Sequence, residues 1–290
     1  MITLRITGVP EHFNFPWKKV VSSQPFEKEG ISLQWKDESR GSGQMNRDLR
    51  EEKTDIAIVL TESFLKDYEA GNPSKMIGFH VISPLNWGIH IAGESPVNSL
   101  DEIQNPTFLI SRVGSGSQLM SYVLAEREGW NPENLEFKIV DNLSGALEVM
   151  SSEQPEMFLW EKYTTKPWVD NKQMKRIGEV PSPWPCFAII ASDKALSQFG
   201  EVIFRLRDLV YQESNKLASS PSAIVDIAQD YELNEADVKD WFGQTRWATE
   251  AKLSRTEIME SMERMKELGI ISGQISLEKL LTYDQVLITA

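Results

Sequence analysis

Thr107-Phe-Leu-Ile-Ser-Arg-Val-Gly-Ser-Gly-Ser-Gln-Leu-Met120 is the stretch on which the fold reading turns. The apolar run from Thr107 to Val113 has the length and composition of a buried strand. Gly114-Ser115-Gly116-Ser117 then breaks it with residues that let a backbone turn tightly. Leu119, Met120, Val123 and Leu124 follow at the spacing of one helix face. Strand, glycine-rich loop and helix in that order are the repeating piece of an α/β protein.

The same piece recurs on both sides. Ile2, Leu4 and Ile6 alternate with polar residues until Gly8-Val9-Pro10, and Asp55-Ile-Ala-Ile-Val-Leu60 is a second short apolar run. Further strands are expected at 76–83, 87–92, 135–140, 156–160, 174–180 and 187–191. After Ser192 helical patterns dominate, with start signals at Ser220-Pro221, Asn234 and Ser254 and a stop at Gly269. The expected fold class is therefore α/β with mainly parallel sheets. Proline-bearing connectors near Pro84 and Pro185 divide the chain. One lobe is expected from 1–84 with 188–290, and an inserted lobe from 85–187, with the two crossings acting as a hinge.

Composition narrows function. The chain has 290 residues, room for two domains at about 150 residues each, and 41% hydrophobic residues, an ordinary share for a globular protein. Its formal net charge of −13 disfavours the basic field that nucleic acid and anionic membranes select. A single cysteine, Cys186, excludes an internal disulfide framework, and His12, His80 and His90 lack metal-ligand spacing. No cofactor or metal is expected. The first twenty residues have no apolar core of a signal peptide and no segment reaches membrane-span length, so a cytoplasmic protein is expected.

Candidate ligand residues sit where strands end, because open α/β sheets bind ligands at the carboxyl ends of their strands. Arg112, Ser115, Gly116 and Ser117 combine N–H groups, hydroxyls, a guanidinium and a helix N-terminus, the chemistry of a site for a carboxylate, sulfonate or phosphate. Spacing alone leaves a plain helix cap with a surface arginine equally open. Glu11, His12, Phe13 and Asn14 follow the first strand, and Thr61 and Glu62 the second. For these a structured loop and a helix cap remain the alternatives. Trp87, Trp160 and Glu161 add aromatic and acidic groups suited to a ring-bearing or amine-bearing ligand. Trp241 and Trp247 read as packing residues. No nucleophile, base and orienter fall together as catalysis requires, so binding is expected rather than turnover.

Several of these pieces occur in a particular order. Gly8-Val-Pro-Glu-His-Phe13, Asp55-Ile-Ala-Ile-Val-Leu-Thr-Glu62, Ser83-Pro-Leu-Asn-Trp-Gly88 and Ser111-Arg-Val-Gly-Ser-Gly-Ser117 come first. Phe158-Leu-Trp-Glu161, Pro183-Trp-Pro185 and Asp240-Trp-Phe-Gly-Gln-Thr-Arg-Trp247 follow. As a set they resemble the type 2 periplasmic-binding-protein superfamily, and within it a leaderless cytosolic branch of fungi and bacteria related to sulfonate, nitrate and thiamine-precursor binding proteins. The resemblance implies two lobes, a hinge and a small ligand held in an interlobe cleft. The loops after Val9 and Leu60 would form one wall, and Trp87, the Arg112–Ser117 loop and Trp160-Glu161 the other. On this arrangement the residues themselves favour an organic ligand with an anionic group at Ser115 and Ser117 and, because Glu11, Glu62 and Glu161 make the rest acidic, an amine-bearing or zwitterionic one. Two alternatives stand beside this: an enzyme of thiamine-precursor or related metabolism with His12 as acid or base, and a cytosolic effector-binding sensor. The synthases of the superfamily carry a cysteine-rich motif that a chain with only Cys186 lacks.

Overall fold

A computed structural model describes residues 1–151, 153–272 and 275–289. The chain forms two compact units, Met1–Ser83 with Trp184–Ala290, and Pro84–Pro183.

Unit 1 begins β1 (Ile2–Gly8), α1 (Phe15–Ser22), β2 (Ile31–Asp37), α2 (Ser42–Arg50), β3 (Ile56–Leu60), α3 (Thr61–Glu69) and β4 (Ser74–Val81). Unit 2 contains β5 (Asn86–Ala92), β6 (Thr107–Ile110), α4 (Gly116–Glu128), β7 (Glu136–Ile139), α5 (Leu143–Val149), β8 (Met157–Glu161), α6 (Lys166–Asp170) and β9 (Met174–Pro181). The chain then re-enters unit 1 through β10 (Phe187–Ser192), α7 (Asp193–Phe199), α8 (Glu201–Ala218), α9 (Ala223–Asp230) and α10 (Glu235–Gln244). It ends in β11 (Lys252–Ser254), α11 (Arg255–Glu267), α12 (Leu277–Leu280) and β12 (Leu287–Thr289).

Both units follow one plan. The sheet of unit 1 has the order β2-β1-β3-β10-β4, and that of unit 2 the order β7-β6-β8-β5-β9. In each, four strands run one way and one runs against them: β10 is antiparallel to β3 and β4, and β5 to β8 and β9. The reversed strand is in both cases the one by which the chain enters the unit after a connector. The expected parallel character thus holds for four strands of each five. The C-terminal region is not wholly helical, since β11 and β12 pair in parallel as a small separate sheet.

Local chemistry explains the element ends. Arg5 in β1 grips Asp55, just ahead of β3, by two side-chain bonds of 2.7 and 2.9 Å, which fixes the register of these neighbouring strands. Asn234 and Ser254 accept first-turn N–H groups of α10 and α11, and Gly269 takes φ +68° just beyond α11. α9 starts at Ala223, two residues after the expected Pro221. β6 stops at Ile110 rather than Val113, because the Ser111 N–H turns to the Ser117 hydroxyl.

One close approach holds the long α8 against the sheet. Tyr211 donates from its hydroxyl to the Phe79 carbonyl at 2.9 Å, and buried Arg207 donates to the carbonyls of Ile77 and Gln285. The tyrosine oxygen lies 2.2 Å from where a Cβ on Gly78 would sit, and Gly78 has φ +151°. Gly78→Ala should therefore lower the urea unfolding free energy by about 2 kcal/mol or more, from strain and overpacking together. In a Tyr211→Phe background the same substitution should cost less. Equal costs in the two backgrounds would rule out the contact as the cause.

Candidate functional site

In unit 1 the candidate residues gather at the carboxyl ends of β1 and β3 and the start of the reversed β10. Behind β1, His12–Asn14 form one short helical turn, and all three residues are buried. Phe13 packs on Phe187 and Trp241 with ring centroids at 5.3 and 5.1 Å. Its carbonyl accepts from His80 Nε2 and Trp247 Nε1, both at 2.8 Å. The His12 ring lies 4.1 Å from Trp241, and its Nε2 has no partner among the described residues. Burial alone pushes the His12 pKa down to about 3, so the ring is neutral at physiological pH. Asn14 donates to the Val9 carbonyl while its own Oδ1 is unpartnered. Glu11 is half-buried at the head of the turn.

Thr61 and Glu62 open α3. Neither Thr61 nor Ser63 caps the helix: the cap position is Leu60, without a side-chain bond. The Thr61 N–H instead donates to the Cys186 carbonyl at 3.0 Å. Glu62 is 1% exposed. Trp184 Nε1 donates to its Oε2 at 2.7 Å, and Oε1 has no partner among the described residues. Burial raises the Glu62 pKa from 4.5 to about 7, offset in part by its own N–H and the Trp184 indole.

In unit 2 the corresponding edge carries the carboxyl ends of β6 and β8 and the start of the reversed β5. Trp87 and Glu161 are direct cross-strand partners, so their side chains share a face of the sheet. Trp87 is buried with its Nε1 unpartnered. Glu161 accepts from the Tyr163 N–H and from the N–H and hydroxyl of Thr164, yet burial holds its pKa above the usual range. Trp160 points the other way. It stacks on Phe158 at 5.2 Å and packs with Leu143, Leu147 and Trp168 around the buried Leu109 and Ala146. The structure therefore groups Trp87 with Glu161 and places Trp160 in packing on the opposite face.

Between β6 and α4, Ser115 caps the helix by accepting the Gln118 N–H. The hydroxyls of Ser111, Ser117 and Ser115 form a chain, with 3.4 Å and 2.9 Å links. Ser115, Gly116 and Ser117 are buried at the head of this 13-residue helix, and Arg112 is half-buried. The loop is thus both a cap and a cluster of hydroxyls beside first-turn N–H groups, which no helix can satisfy internally.

Sequence reasoning passed over His80; it marked Trp184 beside the cleft and Trp247 as packing, but not their partners, and the partners of Trp184, His80 and Trp247 lie 122, 67 and 234 residues away. Among the described residues no group of three or more His, Cys, Asp or Glu could hold a metal ion, and no helix is long and apolar enough to cross a membrane.

Two α/β units of one plan, each a five-stranded sheet with a single reversed strand and joined by two crossings, constitute the type 2 periplasmic-binding-protein fold. The model of a family described as Ca3427-like PBP matches residues 87–180, within unit 2. The chain is similar along its whole length to the CA3427 gene product of Candida albicans, described as defining a family with the generic periplasmic-binding-protein fold. That likeness has a TM-score of 0.87 at 23% identity and covers 100% of this chain and 98% of that one. The alkanesulfonate-binding protein SsuA of Xanthomonas axonopodis pv. citri, solved with MOPS, gives a TM-score of 0.76 at 12% identity, covering 100% and 99%. The aliphatic sulphonate binding protein SsuA of Escherichia coli gives 0.69 at 12%, covering 97% and 92%. No curated protein matches the sequence.

The buried Glu62 has a measurable consequence. A carboxyl whose value is higher folded than unfolded favours the folded state below about 4.5 and loses that contribution as pH rises through about 7. Between pH 5 and 8.5 the wild type should lose roughly 2–3 kcal/mol relative to Glu62→Gln, at about 1.4 kcal/mol per pH unit. Urea unfolding of both proteins at the two pH values measures this. Parallel pH curves would show that Glu62 ionises normally.

Proposed function

We propose that the chain binds a small organic molecule carrying an acidic group and a protonated nitrogen. The observation that supports this best is where unsatisfied polar atoms fall. Native interiors leave few such atoms unpaired. Of the thirteen buried side-chain atoms without a partner among the described residues, His12 Nε2, Asn14 Oδ1 and Glu62 Oε1 lie at the candidate edge of one sheet and Trp87 Nε1 at that of the other. A bound molecule would satisfy them.

In this reading the Gly114–Ser117 loop takes the acidic group, with Ser115, Ser117 and Arg112 as donors, and Glu62 and Glu161 face the cationic part. One ligand engages both clusters, and the units close upon it about the connectors, since a ligand that contacts both favours the closed population. The SsuA relative solved with MOPS, a sulfonate that also bears an amine, is an instance of such a molecule.

MOPS is therefore the first ligand to titrate calorimetrically. Gly116→Val and Arg112→Ala should each weaken its binding by roughly ten- to a hundredfold, the loss of a charge-assisted bond of about 1.5–3 kcal/mol. Folded variants that bind as the wild type does would leave the loop as a helix cap only.

The cytosol is the proposed location, on the resemblance to the leaderless branch. Fractionation of the native host with an antibody against the chain should recover it with cytosolic markers; recovery outside the inner membrane would overturn this and favour transport.

A further inference from the structure

We infer that Glu62 selects the ligand's cationic nitrogen, an ammonium or amidinium, and that seating this group expels a proton from the carboxyl to solvent. The inference rests on the binding role proposed above and deepens it.

Glu62 is buried, and only one of its oxygens is spoken for. The Trp184 indole anchors Oε2, and Oε1 has no partner among the described residues. Besides burial, the groups that act on this carboxyl are its own backbone N–H and that indole. A carboxylate so placed would be an uncompensated buried anion, which proteins avoid by keeping the proton. Glu62 is therefore largely the acid below neutral pH and about half-ionised near pH 7.

An arriving cation reverses that balance. A positive nitrogen against Oε1 favours the charged form by direct attraction. The Glu62 O–H bond breaks, its electron pair stays on the carboxylate, and the proton passes to buffer, while the ligand keeps its own protons. The protein's −13 charge supplies a field that draws cations rather than repels them. A neutral hydrogen-bond acceptor would instead take the proton of the acid form and release nothing, so the two possibilities differ in a countable proton.

Trp184 is the positioning residue. Its 2.7 Å bond fixes which oxygen is occupied, and it lies in the connector that returns the chain to unit 1. Removing the indole N–H takes away a donor that favours the charged carboxyl. The carboxyl would then give up its proton only at higher pH.

The test is calorimetric titration of the intact protein with 3-aminopropanesulfonate and with propanesulfonate, which lacks the amine, in phosphate and in Tris. With Glu62 half-ionised near pH 7, the amino compound should release about half a proton there and progressively less toward pH 8.5. Propanesulfonate should bind at least tenfold more weakly and release none. Glu62→Gln should abolish the proton release and lose most of the preference for the amine. Trp184→Phe should keep the release and shift its fall-off to higher pH. Equal affinity for the two sulfonates, or amine binding whose heat is the same in both buffers and in Glu62→Gln, overturns the inference and leaves the binding role intact. A wild type that binds neither sulfonate, nor MOPS, overturns the binding role and this inference with it.

Discussion

The strand Phe187–Ser192 is hydrogen-bonded on both sides, to β3 and to β4, and all six of its residues are buried. Unit 1 cannot complete its sheet without it. Until that strand arrives, β3 and β4 each expose an edge of unpaired backbone groups, a costly state for buried strands. Yet the strand is made only after the hundred residues of unit 2 have been passed. The pairing that closes unit 1 therefore spans the whole of unit 2 in sequence, and its loop-closure entropy is met before the sheet is complete.

The same strand determines where chemistry can occur. Because β10 runs against its neighbours, its first residues lie beside the last residues of β3: Phe187 pairs with Leu60, and the Thr61 N–H meets the Cys186 carbonyl. Residues just before β10 thus reach residues just after β3. That is how Trp184 comes to hold Glu62. The reversed β5 does the same in unit 2, setting Trp87 opposite Glu161. A wholly parallel sheet would bring only strand carboxyl ends to this edge, and the tryptophans that precede a strand would lie at the far side.

Much of this was legible in the sequence, and the failures have identifiable physical causes. The apolar runs of β3 and β6 and the caps at Ser115, Asn234 and Ser254 are local signals, and local signals survive in one dimension. β2 was equally local: Ile31, Leu33 and Trp35 alternate with polar residues, and that pattern was passed over. The sense of Trp160 could also have been read. Along β8 Phe158 and Trp160 fall on one face, and Leu159 and Glu161 on the other. Reading Trp160-Glu161 as one feature ignored that parity. By contrast, nothing local links Glu62 to Trp184 or Phe13 to Trp247. Those contacts depend on strand order, which a single sequence does not state.

The buried polar groups at the two sheet edges carry a stability cost. His12, His80 and Glu62 are buried in their neutral forms, each costing more to ionise than in water. Other buried polar groups divide: Arg207 on two carbonyls, Tyr211 on Phe79 and Thr7 on Thr54 are paired, while Trp17 Nε1, Glu156 Oε2 and Ser214 Oγ, away from these edges, have no partner among the described residues. The Glu62 carboxyl is held by one oxygen, through an aromatic donor from the returning connector, and its other oxygen has no partner among the described residues, so the fold carries an unsatisfied acid where β3 ends.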